Sequence, residues 1–168
     1  GKTFIEPEPL IKKEGARIMG LDDPSKKMSK SAPNAGNYIA LLDKPEVVAK
    51  KISRAVTDSG SEIKSGKDKP ALTNLLTIYS LFSGKSVKEL EKQFAGKGPD
   101  FAEASPGKYA DFKRDLTATV NNFLGNFQEK YNALKDNEVK TILEDGAKKT
   151  RQIAQKKMEE VKTKLGLN

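Results

Sequence analysis

The stretch Ala16-Arg17-Ile18-Met19-Gly20-Leu21, followed by Asp22-Asp23-Pro24-Ser25 and then by Lys27-Met28-Ser29-Lys30-Ser31, decides how the start of this chain is read. The short apolar run at 16–21 predicts a buried parallel strand. The Asp-Asp-Pro-Ser cluster breaks it. The run after the break has the composition of a phosphate-handling loop. Lys27 and Lys30 supply point charges suited to polyphosphate, and the hydroxyls of Ser29 and Ser31 supply donors small enough to sit close to phosphate oxygens. A strand feeding such a loop is the arrangement expected at the carboxyl edge of an open α/β sheet. Only one strand of that sheet is predicted, and a lone strand is not independently stable.

Upstream, residues 1–15 are polar and carry Pro7 and Pro9, which reads as an extended connector. Downstream the pattern turns helical. Asp43 can cap and Pro45 suits a first turn. Val48, Ile52 and Val56 then form an apolar stripe, with Lys50, Lys51 and Arg54 lying off it as a basic face. Thr57-Asp58-Ser59-Gly60 ends this element, and residues 59–70 read as a loop. Leu72, Leu75, Leu76, Tyr79 and Phe82 make the next stripe, stopped by Gly84. Ser86 and Glu89 fit a capping box opening a short helix with Leu90 and Phe94.

Residues 96–107 read as another loop. Tyr109, Phe112, Leu116, Val120, Phe123, Phe127, Tyr131 and Leu134 then predict one long amphipathic helix, with a bend near Gly125. A last helix carries Ile142, Leu143, Ala147, Ile153, Met158, Val161 and Leu165, with Gly166 past its end. Five one-sided helices predict a helical bundle. The aromatic stripe is expected to be core, because its spacing is helical and continuous. The lysines of the last helix are expected to form a solvated face.

Charge and composition narrow the function. Among 168 residues, Lys and Arg outnumber Asp and Glu by 31 to 23, a balance of +8 that favours a polyanionic partner such as nucleic acid. There is no cysteine and no histidine. Disulfides, thiolate metal sites and cysteine nucleophiles are thereby excluded, along with the commonest general base. Chemistry must run on lysine, carboxylate, hydroxyl or a bound cosubstrate. No apolar run has the length to cross a bilayer and no secretory signal is visible, so a cytoplasmic location is expected. A chain that opens on Gly1 with no processing site is expected to be a fragment of something longer.

Lys27 to Ser31 spells KMSKS, the second signature of the class I aminoacyl-tRNA synthetases, and the likeness extends along the chain. It includes GARIMGLDDPSKKMSKS at 15–31, KKISRAVTDS at 50–59, LTNLLTIYSLFSGKSVKELEKQF at 72–94, QEKYNAL at 128–134 and EDGAKK at 144–149. Together these stretches resemble the carboxyl-terminal part of the bacterial tryptophanyl-tRNA synthetases. The resemblance implies a mainly α chain: a helical bundle preceded by the last strand and KMSKS loop of a truncated Rossmann domain. Residues 1–43 would be the carboxyl-terminal edge of that catalytic domain, and residues 44–168 a helical tRNA anticodon-binding domain.

The site residues implied by the resemblance are few. Lys27, Met28, Ser29, Lys30 and Ser31 match the family's mobile ATP loop, and Lys30 matches the lysine that meets the phosphates most directly. Ile18 and Met28 match positions on the adenine side of the nucleotide. Lys27 and Lys30 are the expected catalytic residues, with ATP and its Mg²⁺ as cosubstrate and no metal ligand from this chain. The implied partners are tryptophan tRNA and L-tryptophan, no membrane is involved, and the intact enzyme is a homodimer.

The departures matter as well. The family's first, HIGH-like signature and its tryptophan pocket are not present, so this chain alone is expected to be inactive. The stretch 99–108 resembles an insertion. A second reading is a non-catalytic RNA-binding module of synthetase ancestry. Tyrosyl-tRNA synthetase is the nearest enzyme confusion.

Overall fold

The computed structural model describes residues 3–11, 15–60, 62–95 and 107–167. Its elements are a 3-10 turn at Ala35–Asn37 and five α-helices: α1 (Pro45–Arg54), α2 (Pro70–Ser83), α3 (Val87–Ala95), α4 (Gly107–Ala133) and α5 (Asp136–Leu165). The chain divides into two compact units, residues 11–129, and residues 1–10 with 130–168. None of the described helices is long and apolar enough to cross a membrane.

The core lies in the larger unit. Val48 and Ile52 of α1, Leu72, Leu75, Leu76 and Tyr79 of α2, Leu90 and Phe94 of α3, and Phe112, Leu116, Val120 and Leu124 of α4 are all buried in one cluster. These positions recur every third or fourth residue, so each helix turns one stripe inward. At the centre, Phe112 meets Phe94 edge-on at 5.3 Å and Tyr79 at 6.0 Å. Aromatic pairs at such separations add to their area burial. Of the stripe predicted on α4, Phe112, Leu116 and Val120 are core, but Phe123, Tyr131 and Leu134 are exposed, so its carboxyl-terminal part is not. Toward the rim the stripe opens: Phe123 is partly exposed and rests edge-on against Phe82 at 4.9 Å.

Helix boundaries follow local chemistry. Pro45 and Pro70 each stand in the first turn of their helices, where the missing N–H has no intrahelical partner to lose. Gly84, at φ +72°, ends α2 in the left-handed conformation that costs glycine little. The capping box of α3 forms: Ser86 N–H donates to Glu89 Oε2 at 2.8 Å, and Glu89 N–H to Ser86 Oγ at 3.3 Å.

Asp43 does not cap α1, whose N-cap residue is Lys44 without a side-chain bond. The Asp43 carboxylate is engaged instead by Ala40 N–H at 2.9 Å and by Lys51 Nζ at 2.6 Å. Val56 lies past the end of α1 and is exposed. Helix α4 begins at Gly107 and runs without interruption through Gly125. Of the predicted 96–107 loop, residues 96–106, and with them most of the 99–108 stretch, lie outside the described residues, and Gly107 instead opens α4.

Two further expectations are corrected. The apolar run 16–21 forms no strand; Met19 makes a single antiparallel bridge to Lys27. The backbone groups a parallel neighbour would have paired are satisfied elsewhere. Gly20 N–H donates to Lys26 O at 2.8 Å and Met28 N–H to Ile18 O at 2.9 Å, folding the segment back on itself. Leu21 N–H donates to Asn37 O at 3.0 Å, and Val56 N–H to Leu21 O at 2.8 Å.

The second correction concerns α5. It has the predicted length and ends at Gly166 in the left-handed conformation, but none of its residues is buried. Ile142, Leu143 and Ile153 are 64%, 67% and 73% exposed, so the stripe of α5 adds nothing to the core. In its own unit α5 meets the extended amino-terminal segment, where Lys157 Nζ donates to Thr3 O at 3.0 Å. Its lysines are partly paired along the helix. Glu160 accepts from Lys157 at 2.5 Å and from Lys164 at 2.8 Å. Those two ammonium groups hold the Glu160 carboxyl at about 2.

Candidate nucleotide-loop site

Residues 18–28 form a tight reversal whose turn is Asp23-Pro24-Ser25-Lys26. Asp23 organises it by accepting from Ser25 N–H at 3.0 Å, Ser25 Oγ at 2.5 Å and Lys26 Nζ at 2.8 Å. Lys26 and Ser25 together hold the Asp23 carboxyl at about 2. Aspartate bonding its own downstream amide is a turn-forming device. The reversal returns the chain so that Met28 lies beside Ile18, and both pack against the hydrophobic core. The two residues expected on the adenine side are therefore brought together.

The polar part of the loop stands on this base. Ser29 is half-buried, and its N–H donates to Asn37 Oδ1 at 3.0 Å. The Ser29 and Ser31 hydroxyls are 3.0 Å apart, and Ser31 N–H reaches Ser29 Oγ at 3.3 Å. Lys27 and Lys30 are exposed. The result is a short ledge of two hydroxyls flanked by two solvent-facing ammonium groups, a donor-rich set suited to a polyanion and not to a metal ion.

Three further residues position this ledge. Asn37, 5% exposed, donates through Nδ2 to Asp22 Oδ1 at 2.6 Å while accepting from Ser29. Asp22 Oδ2 also accepts from Asn34 Nδ2 at 2.6 Å. Asn74 of α2, 7% exposed, pairs with both backbone groups of Met19, at 2.8 and 2.9 Å. The sequence pattern does not single these residues out. One signal is present for Asn74: it interrupts the apolar run of α2 on a face where a buried amide must find partners.

Beside the loop, a cavity of about 410 Å³ is lined by Asp22, Asn34, Gly36, Lys50, Lys51 and Arg54. The predicted basic face of α1 is thus adjacent to the loop's anchor. Lys51 is the member already engaged, by Asp43 and by the Tyr38 ring 4.9 Å from its ammonium. Helix α4 buttresses the same region. Lys113 Nζ donates to Ser53 O at 3.0 Å and Ala55 O at 2.7 Å, closing the carboxyl end of α1, and burial holds its ammonium below the usual lysine range. Gln128 Nε2 donates to Leu41 O at 2.9 Å and Asp43 O at 3.0 Å.

The loop of hydroxyls and lysines is thus anchored by two buried amides, Asn37 at Ser29 and Asn74 at Met19. The profile of the class I tRNA synthetases (W and Y) matches residues 1–125, and the chain belongs to that family. Within it, the chain is 43% identical to the tryptophan–tRNA ligase of Caldanaerobacter subterraneus subsp. tengcongensis over 99% of its own length and 48% of that protein's. It is 46% identical to the ligase of Halalkalibacterium halodurans over 98% of its length and 47% of that protein's. The crystal structure of tryptophanyl-tRNA synthetase from Mycoplasma pneumoniae superposes with a TM-score of 0.76 at 34% identity, covering 94% of this chain and 45% of that one. The chain spans about half the length of the curated relatives it matches.

Proposed function

We propose that this chain is the carboxyl-terminal half of a cytoplasmic, homodimeric tryptophan–tRNA ligase. In this reading residues 1–43 are the edge of its catalytic domain bearing the ATP loop, and residues 44–168 are the helical domain that contacts the anticodon region of tryptophan tRNA. The observation that carries this reading is identity of 43% to 46% with tryptophan–tRNA ligases over nearly the whole chain, the KMSKS loop included.

The chemistry asks little of the loop beyond charge and placement. A carboxylate oxygen of tryptophan attacks the α-phosphorus of ATP. The bond from that phosphorus to the bridging oxygen breaks, and pyrophosphate leaves with the electron pair. No protein nucleophile is required, so a chain without histidine can carry part of the active site. Negative charge grows on the leaving pyrophosphate, and cations placed there in advance lower the barrier. Lys27 and Lys30 act at that position, Lys30 most directly, with Ser29 and Ser31 donating to phosphate oxygens. Mg²⁺ arrives on the nucleotide as part of the substrate and shares the charge. Ile18 and Met28 form the apolar seat for the adenine.

The test is ATP–pyrophosphate exchange by the full-length protein with L-tryptophan or L-tyrosine. Tryptophan-dependent exchange is expected. A second arm titrates this chain with tryptophan tRNA against other tRNAs at one near-physiological salt concentration. No exchange, together with unselective binding that fades as salt rises, would replace this reading with that of a non-catalytic RNA-binding module.

A further inference from the structure

The polar groups of Asn37 are engaged by the signature loop and by the segment that leads into it. Oδ1 accepts Ser29 N–H at 3.0 Å, Nδ2 donates to Asp22 Oδ1 at 2.6 Å, and the backbone oxygen accepts Leu21 N–H at 3.0 Å. Its own N–H donates to Asn34 O at 3.0 Å. The side chain sits against Gly20, where a Cβ would come within 2.0 Å of Nδ2, so only glycine at that position leaves it room.

We propose that Asn37 is the positioning residue that sets the geometry of the Lys27–Ser31 loop, and that Asp22 fixes the orientation of its carboxamide. The inference rests on the reading of this loop as the ATP loop. An ionised carboxylate only accepts hydrogen bonds, so Asn37 must turn Nδ2 toward Asp22 and Oδ1 toward Ser29. The opposite rotamer would set oxygen against carboxylate and nitrogen against N–H. Ser29 lies between the two lysines. Pinning its backbone fixes the point from which both side chains depart, and Asn37 thereby acts on the phosphates through its neighbours without touching them. Because Asn37 is buried, losing this contact leaves donors and acceptors unpaired where water does not readily replace them.

The experiment uses the full-length ligase and three variants: Asn37→Asp, the double exchange Asp22→Asn with Asn37→Asp, and Lys30→Ala. Two quantities are measured: kcat and KM for ATP and tryptophan in pyrophosphate exchange, and hydrogen exchange at the Ser29 amide. Asn37→Asp sets two carboxylates against each other and is expected to free the Ser29 amide. Its kcat should fall roughly 10- to 100-fold, the scale of a small misplacement in a reacting site, while KM for tryptophan stays unchanged.

The double exchange keeps the net charge and reverses the polarity of the bond. The carboxamide introduced at position 22 donates to the carboxylate introduced at position 37 and still accepts from Asn34, so both kcat and Ser29 protection should recover. If Asn37→Asp leaves kcat and Ser29 protection at wild-type values, the inference is overturned. It is equally overturned if the double exchange folds with wild-type thermal stability yet stays as impaired as the single variant. A silent Lys30→Ala would instead remove the ATP-loop reading, and Ser29 protection would then decide the anchoring on its own.

Discussion

Asn74 closes both backbone groups of Met19, its Oδ1 accepting the N–H at 2.8 Å and its Nδ2 donating to the carbonyl at 2.9 Å, across 55 positions of sequence. The side chain imitates a neighbouring strand for one residue and ties the base of the loop to α2. Asn74→Ala removes a donor and an acceptor together and leaves two backbone groups unpaired at a half-buried site. The expected cost is about 2–4 kcal/mol of unfolding free energy, measured by urea denaturation. A loss under about 0.5 kcal/mol, the range of ordinary surface substitutions, would show that water replaces the amide freely.

Gly20 is buried and admits no side chain, because an added Cβ would stand 2.0 Å from Asn37 Nδ2 and 3.1 Å from the Asp23 carbonyl oxygen. Gly20→Ala must therefore push the Asn37 carboxamide out of its seat. A stability loss of about 1–3 kcal/mol is expected, with faster hydrogen exchange at Ser29 than at amides of α2. Uniformly faster exchange would mean global destabilisation without a specific effect on the loop.

The Tyr109 hydroxyl donates to Asp58 Oδ1, joining the first turns of α4 to the segment after α1, and Lys69 adds an ion pair at 3.3 Å. Burial pushes the Asp58 carboxyl up, but the Tyr109 hydroxyl, the Gly60 amide and Lys69 outweigh it, and the carboxyl lies below its usual 3.8. A carboxylate depressed on folding contributes stability that is fully present above its unfolded value and is lost as pH falls through its folded one. Tyr109→Phe should cost about 1.5–3 kcal/mol near pH 7, the range for a hydrogen bond to a charged group. The difference from wild type should shrink as the solution is acidified below the unfolded carboxylate value. Unfolding curves at neutral and acid pH, with an NMR titration of Asp58, check this; parallel stability–pH curves would contradict it.

The helices of the larger unit are legible in the sequence because each carries a stripe and a terminal signal that agree. Val48 and Ile52, Leu72 to Tyr79, and Phe112 to Val120 are buried where their spacing puts them. The KMSKS motif stands out in the sequence because its five residues are consecutive. What escapes is contact between distant residues. Periodicity does not reveal that Asn37 reaches back to Ser29, or that Asn74 stands in for a strand. The apolar run 16–21 misleads for the same reason: its composition suits a strand, but its partners are a turn and a side chain. The stripe of α5 likewise has the right spacing, yet spacing does not say what covers it.

Lys30 is exposed and makes no hydrogen bond or ion pair with the described residues, so its removal should leave the fold intact. That makes it a clean probe of the chemistry. On the proposed reading, Lys30→Ala in the full-length protein should lower kcat for tryptophan activation by about 10²–10³, the effect of deleting one preorganised group aimed at developing charge. Binding of tryptophan should be almost unchanged if, as proposed, the lysine faces the phosphates. An interaction made only in the transition state appears in kcat and in kcat/KM alike, whereas one made equally in the ground state appears in KM alone. Single-turnover kinetics separate the two. If Lys30→Ala raises KM for ATP and spares kcat, the lysine is a ground-state tether for the nucleotide, and stabilisation of the leaving pyrophosphate must come from Lys27, from Mg²⁺ or from the other half of the enzyme.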